Sequence, residues 1–524
     1  MIRFYLALAC VVLAAVHPGL ARQSESKLSL SGTVVNSVTG APVPNARVEL
    51  PPQVTRTDAA GSFHFSSLRP DDYQLLVQKP GYVVGNDGNL LPVISLTSSL
   101  ENYVYKLVPT AVVRGRVTDD SGEPVQGATA EIWQSQVLWG TRQMHLIAVG
   151  EADDRGEYKL TGLAPGRYLV KVSRAGSHVA YYGDKTPMSG LSDAFVPTYF
   201  GGSQDAAAAS VVTVEAGTDQ RADVTVSLVA GHAIRGQLLN FKPHMKPRLQ
   251  LVSGENDLGR IAVSLEYATG RFEIRGVPDG SYLLRALQSG EGDQSMYGDL
   301  GIQVGGTDLD GITLGLAPLP ALRGTTQSET PDGTVRAMVA VRLLRQGLFF
   351  EENLEPAEGS ERVADGKFEV PSVTPGRYWI RFPVTPPVAY VASAHAGNSD
   401  LLATQQLDVS PSGAPEIELV LRTDGGVVAG TLEAAGAKKA KGFAILVPES
   451  CNRPAEYTTF DDGGFAFYMV APGPYRVYAW QSSAGIEYGP PRELCALAND
   501  GLHVDVAPGG NVKVRLSDFS KEPK

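Results

Sequence analysis

Cysteine is nearly absent from this chain: three in 524 residues, at Cys10, Cys451 and Cys495. That count excludes a disulfide-dense miniature scaffold and a zinc site built mainly on thiolates. Histidine is thin as well. The eight are His17, His64, His145, His178, His232, His244, His395 and His503. None has a second histidine or an acid at metal-ligand spacing, so there is no His-Glu-x-x-His and no His-x-x-Glu. Also missing are the Gly-x-Ser-x-Gly elbow, the phosphate-cradling Gly-x-x-x-x-Gly-Lys and a Gly-x-Gly-x-x-Gly following a strand. The expectation is a chain without a catalytic site and without a cofactor or metal. Lys plus Arg number 45 against 56 Asp plus Glu, a net charge of −11, and no basic cluster is present. Nucleic acid and anionic membranes are therefore not expected partners. Beyond the first sixteen residues no apolar run is long enough for a transmembrane helix. Sustained 3.6-residue periodicity is missing too, so helix should be scarce.

What the chain does have is a repeat. Five times a glycine is followed two residues later by an aromatic ring and twelve residues later by a tyrosine. The copies are Gly61-Ser62-Phe63 with Tyr73, Gly156-Glu157-Tyr158 with Tyr168, Gly270-Arg271-Phe272 with Tyr282, Gly366-Lys367-Phe368 with Tyr378, and Gly463-Gly464-Phe465 with Tyr475. A proline stands three or four residues before each tyrosine: Pro70, Pro165, Pro278, Pro375 and Pro472. A fixed interval kept that often marks an array of one small unit. In the second copy Asp153-Asp154-Arg155-Gly156 is a turn, Glu157 to Leu160 alternates polar and apolar, and Leu163-Ala164-Pro165-Gly166 is a second turn. Tyr168, Val170 and Val172 then share one strand face. This pattern predicts a β-hairpin with aromatic rings heading both strands, its register held by the cost of a one-residue slip. A further strand pair precedes each motif (Leu30 to Val35 with Ala46 to Leu50, then Val113 to Val117 with Ala128 to Ile132), and a strand-like run closes each unit. Six or seven short strands with regular turns predict an all-β chain of five tandem β-sandwiches. A glycine marks each first strand: Gly32, Gly115, Gly236, Gly324 and Gly430.

Two units carry a full first half. Gly32-x-Val34 precedes Gly40-x-Pro42-Val43-Pro44-Asn45-Ala46, and Gly115-x-Val117 precedes Gly122-x-Pro124-Val125-Gln126-Gly127-Ala128. With the Asp-x-x-Gly-x-Phe/Tyr and Pro-Gly-x-Tyr segments, they resemble the carboxypeptidase regulatory-like domain. The resemblance implies a transthyretin-like, seven-stranded Greek-key sandwich, related in fold to starch-binding and collagen-adhesin B-type modules. It also implies a module found beside zinc carboxypeptidases and at the N-termini of some TonB-dependent outer-membrane proteins. The peptidase itself has no counterpart here. In units three to five only the second half of the motif matches. The Lys–Asn isopeptide of some adhesin modules is not expected, because Thr33, Arg116, Gln237, Thr325 and Thr431 follow the anchor glycines where a lysine would be needed.

The expected divisions are a signal peptide over 1–21 and sandwiches over 28–109, 110–229 (with an insertion at 177–209), 230–317, 318–422 and 423–517. Arg3, the apolar run Phe4 to Val16 and the small residues of Gly19-Leu20-Ala21 read as a secretory signal cleaved after Ala21. Cys10 fits a lipoprotein signal poorly. The chain should be exported, to the periplasm or the extracellular space. Cys451 and Cys495, both in the last unit, then suggest a disulfide, the alternative being two buried thiols. Prolines in Leu107 to Thr110 and Ala317 to Ala321 make the linkers short and stiff.

Binding residues are sought among acids and aromatics. Glu151, Asp153 and Asp154, Asp308 and Asp310, and Asp461 and Asp462 do not reach the spacing of a calcium loop, and an acid before glycine is ordinary turn chemistry. Among aromatics, Tyr478 and Trp480 share one strand face opposite Tyr475, with Tyr488 close behind. If that face is solvated, the rings form a platform for the apolar face of a sugar. Trp379 sits opposite Tyr378, and the insertion carries Tyr181, Tyr182 and Tyr199, in a unit that also holds Trp133 and Trp139. The competing reading is that these rings pack between neighbouring units. The expectation is thus an exported, non-catalytic array for recognition at or outside the cell envelope. The fold resemblance implies carbohydrate or an envelope component as ligand. The alternative is a structural spacer or protein-interaction scaffold.

Overall fold

The computed structural model describes residues 27–84, 93–138, 141–173, 193–253, 256–257, 262–290, 295–329, 337–347, 366–433, 442–460, 463–480 and 501–517. Among them helix is limited to Leu401–Thr404 and two 3-10 turns, Ala206–Ala208 and Pro243–Met245; all other regular structure is β-strand. The chain divides into two compact units, Met1–Gly85 with Leu90–Leu107, and Asn86–Asn89 with Val108–Lys524. The first motif copy lies in the first unit and the other four in the second.

One pairing pattern recurs in all five copies. The strand bearing the anchor glycine lies between an antiparallel partner from the Gly-x-aromatic segment and a parallel partner from the copy's end. Leu28–Asn36 lies between Ser62–Leu68 and Leu100–Pro109, and Ala111–Thr118 between Glu157–Leu163 and Asp219–Arg221. His232–Leu239 lies between Arg271–Val277 and Leu309–Gly315, Leu322–Glu329 between Gly366–Val370 and Ile417–Arg422, and Gly426–Glu433 between Gly464–Val470 and Asn511–Ser517. A parallel neighbour requires a long crossover, and the strands of the opposing sheet supply it.

Register explains the conserved letters of the repeat. In each copy the anchor glycine pairs with the repeat aromatic: Gly32 with Phe63, Gly115 with Tyr158, Gly236 with Phe272, Gly324 with Phe368 and Gly430 with Phe465. A Cβ on Gly115 would lie 2.0 Å from the Ala222 carbonyl oxygen and 2.8 Å from the Tyr158 ring; on Gly236 it would lie 2.0 Å from Ile312 O and 2.6 Å from the Phe272 ring. The ring fills the place where a side chain would stand.

The predicted hairpin at the Pro-Gly turn is not formed. Glu157–Leu163 pairs with Ala111–Thr118 in one sheet, whereas Gly166–Ser173 pairs with Thr129–Leu138 in the other. The turn is a corner between the two layers of the sandwich. Its brace is the repeat tyrosine, whose hydroxyl donates to the carbonyl four residues back: Tyr73 to Arg69 at 3.1 Å, Tyr168 to Ala164 at 2.7 Å, Tyr282 to Pro278 at 2.8 Å, Tyr378 to Thr374 at 2.6 Å and Tyr475 to Ala471 at 2.8 Å. The twelve-residue interval is one strand plus that corner. Each sheet contributes one large ring to a common core, so Tyr158 and Tyr168 are both buried.

A second departure lies on the outer faces. An antiparallel strand with one solvated face alternates in burial. In the second, third and fifth copies the strand after the corner stops alternating: Val170 to Ser173, Leu284 to Gln288 and Val477 to Trp480 are buried at every position. Their outer faces are covered. Even Lys171 and Glu131 are buried there, 4.0 Å apart, with Trp133 Nε1 donating to Glu131 at 3.2 Å. The linker strand Ala317–Pro318 docks on Met296–Val304.

Candidate functional site

Tyr478 and Trp480 do share the outer face of Gly473–Trp480, as the alternation requires. Their rings stack with centroids 5.9 Å apart and planes 6° from parallel. The face is not solvated: Tyr478 is 3% and Trp480 7% exposed. They form one cluster with Phe443, Ile445, Val447 and Ala455, and Val137 packs on it. Val137 belongs to the second copy, in the long antiparallel pair Thr129–Leu138 and Thr141–Glu151. The same pair reaches the fourth copy, where Gln143 Nε2 donates to the Arg345 carbonyl at 3.3 Å. The long hairpin thus touches two copies that are remote from it in sequence.

Among the described residues, Tyr199 and Trp379 do not join this cluster. Tyr199 is wholly buried, in a strand Thr198–Tyr199 that extends the second copy's sheet beside Lys171. Trp379 is half-buried on the outer face of Gly376–Arg381, opposite Leu344 and Gln406. Tyr181, Tyr182, Trp139, Tyr488 and Cys495 lie outside the described residues; Cys451 is half-buried.

Charged groups are engaged in local structure. Asp153 Oδ1 accepts from the backbone of Arg155 at 2.9 Å and Glu157 at 2.8 Å, which is the turn role. Asp308 accepts from Ala233 N at 2.9 Å, and Asp308 and Asp310 both bind Arg235 at 3.1 Å. Asp461 and Asp462 lie outside the described residues. His503 sits between Glu449 at 2.9 Å and Asp505 at 3.2 Å, with Arg476 2.9 Å from Glu449. The two acids hold the imidazole above its ordinary pKa, while His503 holds Glu449 below the usual carboxylate range. No hydroxyl or thiol among the described residues hydrogen-bonds this imidazole, so the cluster is not arranged as a nucleophile and its base. Among the described residues no group of three or more His, Cys, Asp or Glu is placed to hold a metal ion.

A recess that sequence reasoning did not single out opens between the fourth and fifth copies, with a volume of about 370 Å³. The strands Arg342–Arg345 and Gly376–Arg381 form one wall, and Arg453 to Tyr457 with Tyr468 form the other. Arg453 lies 5.8 Å over the Tyr390 ring and donates to the Ala392 carbonyl at 3.4 Å, fixing the two copies together. Burial pushes the Glu456 carboxyl up to about 7 against the opposing pull of Arg453.

Comparison with known proteins adds the family of the first two copies. The model of the carboxypeptidase regulatory-like domain matches residues 29–90 and 112–227. These two stretches are carboxypeptidase regulatory-like domains, and the later copies repeat their strand pairing. No curated protein matches the chain. Among solved structures, the minor pilin GBS52 of Streptococcus agalactiae is similar at 15% identity, over 38% of this chain and 96% of that one, with a TM-score of 0.22. The shaft pilin SpaA of Lactobacillus rhamnosus GG is similar at 11% identity, over 39% and 98%, with a TM-score of 0.21. The Bacillus anthracis TIE protein is similar at 10% identity, over 94% and 68%, with a TM-score of 0.15. The function proposed below rests on none of these three likenesses.

Proposed function

We propose that this chain is an exported, non-catalytic scaffold of five β-sandwich domains that acts at or outside the cell envelope. The domains are 28–109, 110–229, 230–317, 318–422 and 423–517. The observation that carries this reading is the buried Tyr478–Trp480 stack. Two large rings that a binding module would present to a ligand are used here to seat the hairpin of domain two on domain five. Lost alternation in three strands supports the same account, as does Gln143 reaching domain four. Export is supported by the Arg3 to Ala21 pattern, and oxidation of Cys451 with Cys495 would follow from that location. Carbohydrate binding, which the family resemblance implies, finds its support in the recess between domains four and five, where Tyr457 and Tyr468 are 44% and 61% exposed.

The test is the Tyr478→Ala, Trp480→Ala double variant of residues 22–524, followed by hydrogen exchange. On the scaffold reading, protection falls across 129–151, in a domain that carries neither substitution, as the covered face opens. Unchanged protection there, with loss of glycan retention instead, would return the pair to a binding role.

A further inference from the structure

We propose that the junction of domains four and five is a latch worked by one proton: with Glu456 protonated Arg453 stays on domain four, and with Glu456 ionised Arg453 turns back to it and the two domains part. The inference goes beyond the scaffold reading, giving one joint of the array a condition under which it opens. Its first ground is where Arg453 stands. The residue belongs to domain five, yet it lies 5.8 Å over the Tyr390 ring and donates to the Ala392 carbonyl at 3.4 Å, both in domain four. Tyr390 is itself fixed. Its hydroxyl donates to Asp424 Oδ1 at 2.9 Å, where the chain passes into domain five, and Arg422 donates to Asp424 Oδ2 at 3.0 Å. Arg453 therefore rests on a held surface, and its own two contacts are the kind that yield: a ring face and a long hydrogen bond.

The second ground is the place of Glu456. It lines the recess three residues after Arg453, among Pro454, Ala455, Ile380 and Leu402. A carboxylate there loses hydration, which favours the neutral acid. Burial lifts its pKa to about 7 against the pull of Arg453. Arg342 and Arg381 face the recess from domain four, and Tyr457 and Tyr468 from domain five; Glu456 is the one acid among the described lining residues. The Tyr475 hydroxyl, on which both Arg453 and Glu456 act, is pushed up to about 12 and stays neutral.

The two grounds meet in a competition for one guanidinium. A protonated Glu456 offers Arg453 little, and the contacts with Tyr390 and Ala392 hold it. An ionised Glu456 offers a charge-assisted bond within domain five, which is the stronger partner. Ionisation also makes the carboxylate seek water, which parting of the walls supplies. The closed junction thus holds a proton that the opened one releases between about 4.5 and about 7. Its stability is full below the lower value and falls as pH rises through the upper one.

Thiol labelling of residues 22–524 tests the latch. Ala389→Cys puts a probe on the domain-four wall, at a position 2% exposed that lines the recess. Ala394→Cys, 0% exposed in the core of the same domain, reports unfolding of that domain instead. Rates with iodoacetamide are divided at each pH by the rate of an unstructured cysteine peptide. The normalised rate of the Ala389→Cys chain should rise about tenfold from pH 6 to pH 8.5, while that of the Ala394→Cys chain stays level. Adding Glu456→Gln should flatten the rise, and adding Arg453→Gln should lift the pH 6 rate toward the pH 8.5 value. A flat profile without those additions, a rise that survives Glu456→Gln, or no effect of Arg453→Gln would overturn the proposal. An equal rise at both probes would overturn it too, because domain four would then be unfolding rather than parting from its neighbour.

Discussion

Gly115→Ala should be among the more damaging single-methyl additions this chain can suffer. The glycine is in extended backbone, so its role is to leave space. An added Cβ lies 2.0 Å from Ala222 O and 2.6 Å from Ala222 C, both backbone, and 2.8 Å from the Tyr158 ring in the core. An ordinary C···O approach is about 3.3 Å, so the parallel strand must retreat by roughly 1.3 Å. It cannot do so without straining the ladder that includes Arg114 to Arg221. Overpacking of this kind costs about 1–3 kcal/mol, and the narrower unfolded ensemble of alanine returns at most about 1 kcal/mol. We expect a net loss of about 2 kcal/mol. Two controls separate the causes. Gly122 has φ +84° with nothing within 4 Å of its Cβ position, so Gly122→Ala should cost about 1 kcal/mol through backbone strain alone. Gly301 has neither a positive φ nor a neighbour within 4 Å, so Gly301→Ala should be neutral or slightly stabilising. Opening free energies from hydrogen exchange, read on peptides spanning 111–118 and 296–304, compare all three in the full chain. A Gly115→Ala cost within about 0.5 kcal/mol of zero, the range of ordinary surface changes, would refute the argument from space.

The corner brace gives a second expectation. Tyr475→Phe removes the donor to Ala471 O and should destabilise domain five by about 1–2 kcal/mol, read as a lower urea midpoint in the transition that reports on that domain. The Glu456 carboxyl gives a pH dependence. Its folded pKa of about 7 stands above the ordinary 4.5, so between those values the native state holds a proton that the unfolded state releases. Stability from this group is full below about 4.5 and is lost as pH rises through about 7, by at most about 3 kcal/mol. Glu456→Gln should remove that loss, so its melting temperature should gain on the parent's from pH 5 to pH 8; parallel curves would contradict the assignment. Thiol titration of the unfolded, unreduced chain from residue 22 should find no free sulfhydryl, and two reactive thiols would refute the Cys451–Cys495 bridge.

The repeat was legible because its letters have separate geometric duties. Glycine makes room, the ring two residues on fills it, and the tyrosine closes the corner. Which strands pair was not legible. A hairpin and an inter-sheet corner share the same alternation and the same Pro-Gly turn; they differ in which strands pair, and neither that pairing nor the Tyr168 bond to Ala164 is visible in sequence. The covered faces left a trace that alternation alone overlooks: Val477-Tyr478-Ala479-Trp480 is apolar at every position, the signature of a strand buried on both sides. The recess left none. Arg342 and Arg381 come from separate strands, and Tyr457 and Tyr468 read as ordinary strand residues.

The scaffold account turns on one contact, between Val137 of domain two and the Tyr478–Trp480 pair of domain five. A double-mutant cycle measures it directly, with Val137→Ala on one arm and Tyr478→Ala, Trp480→Ala on the other. The account predicts a coupling of about 0.5–1.5 kcal/mol in unfolding free energy, as for side chains in contact. Strictly additive effects would contradict it and leave domains two and five without the link assigned to them.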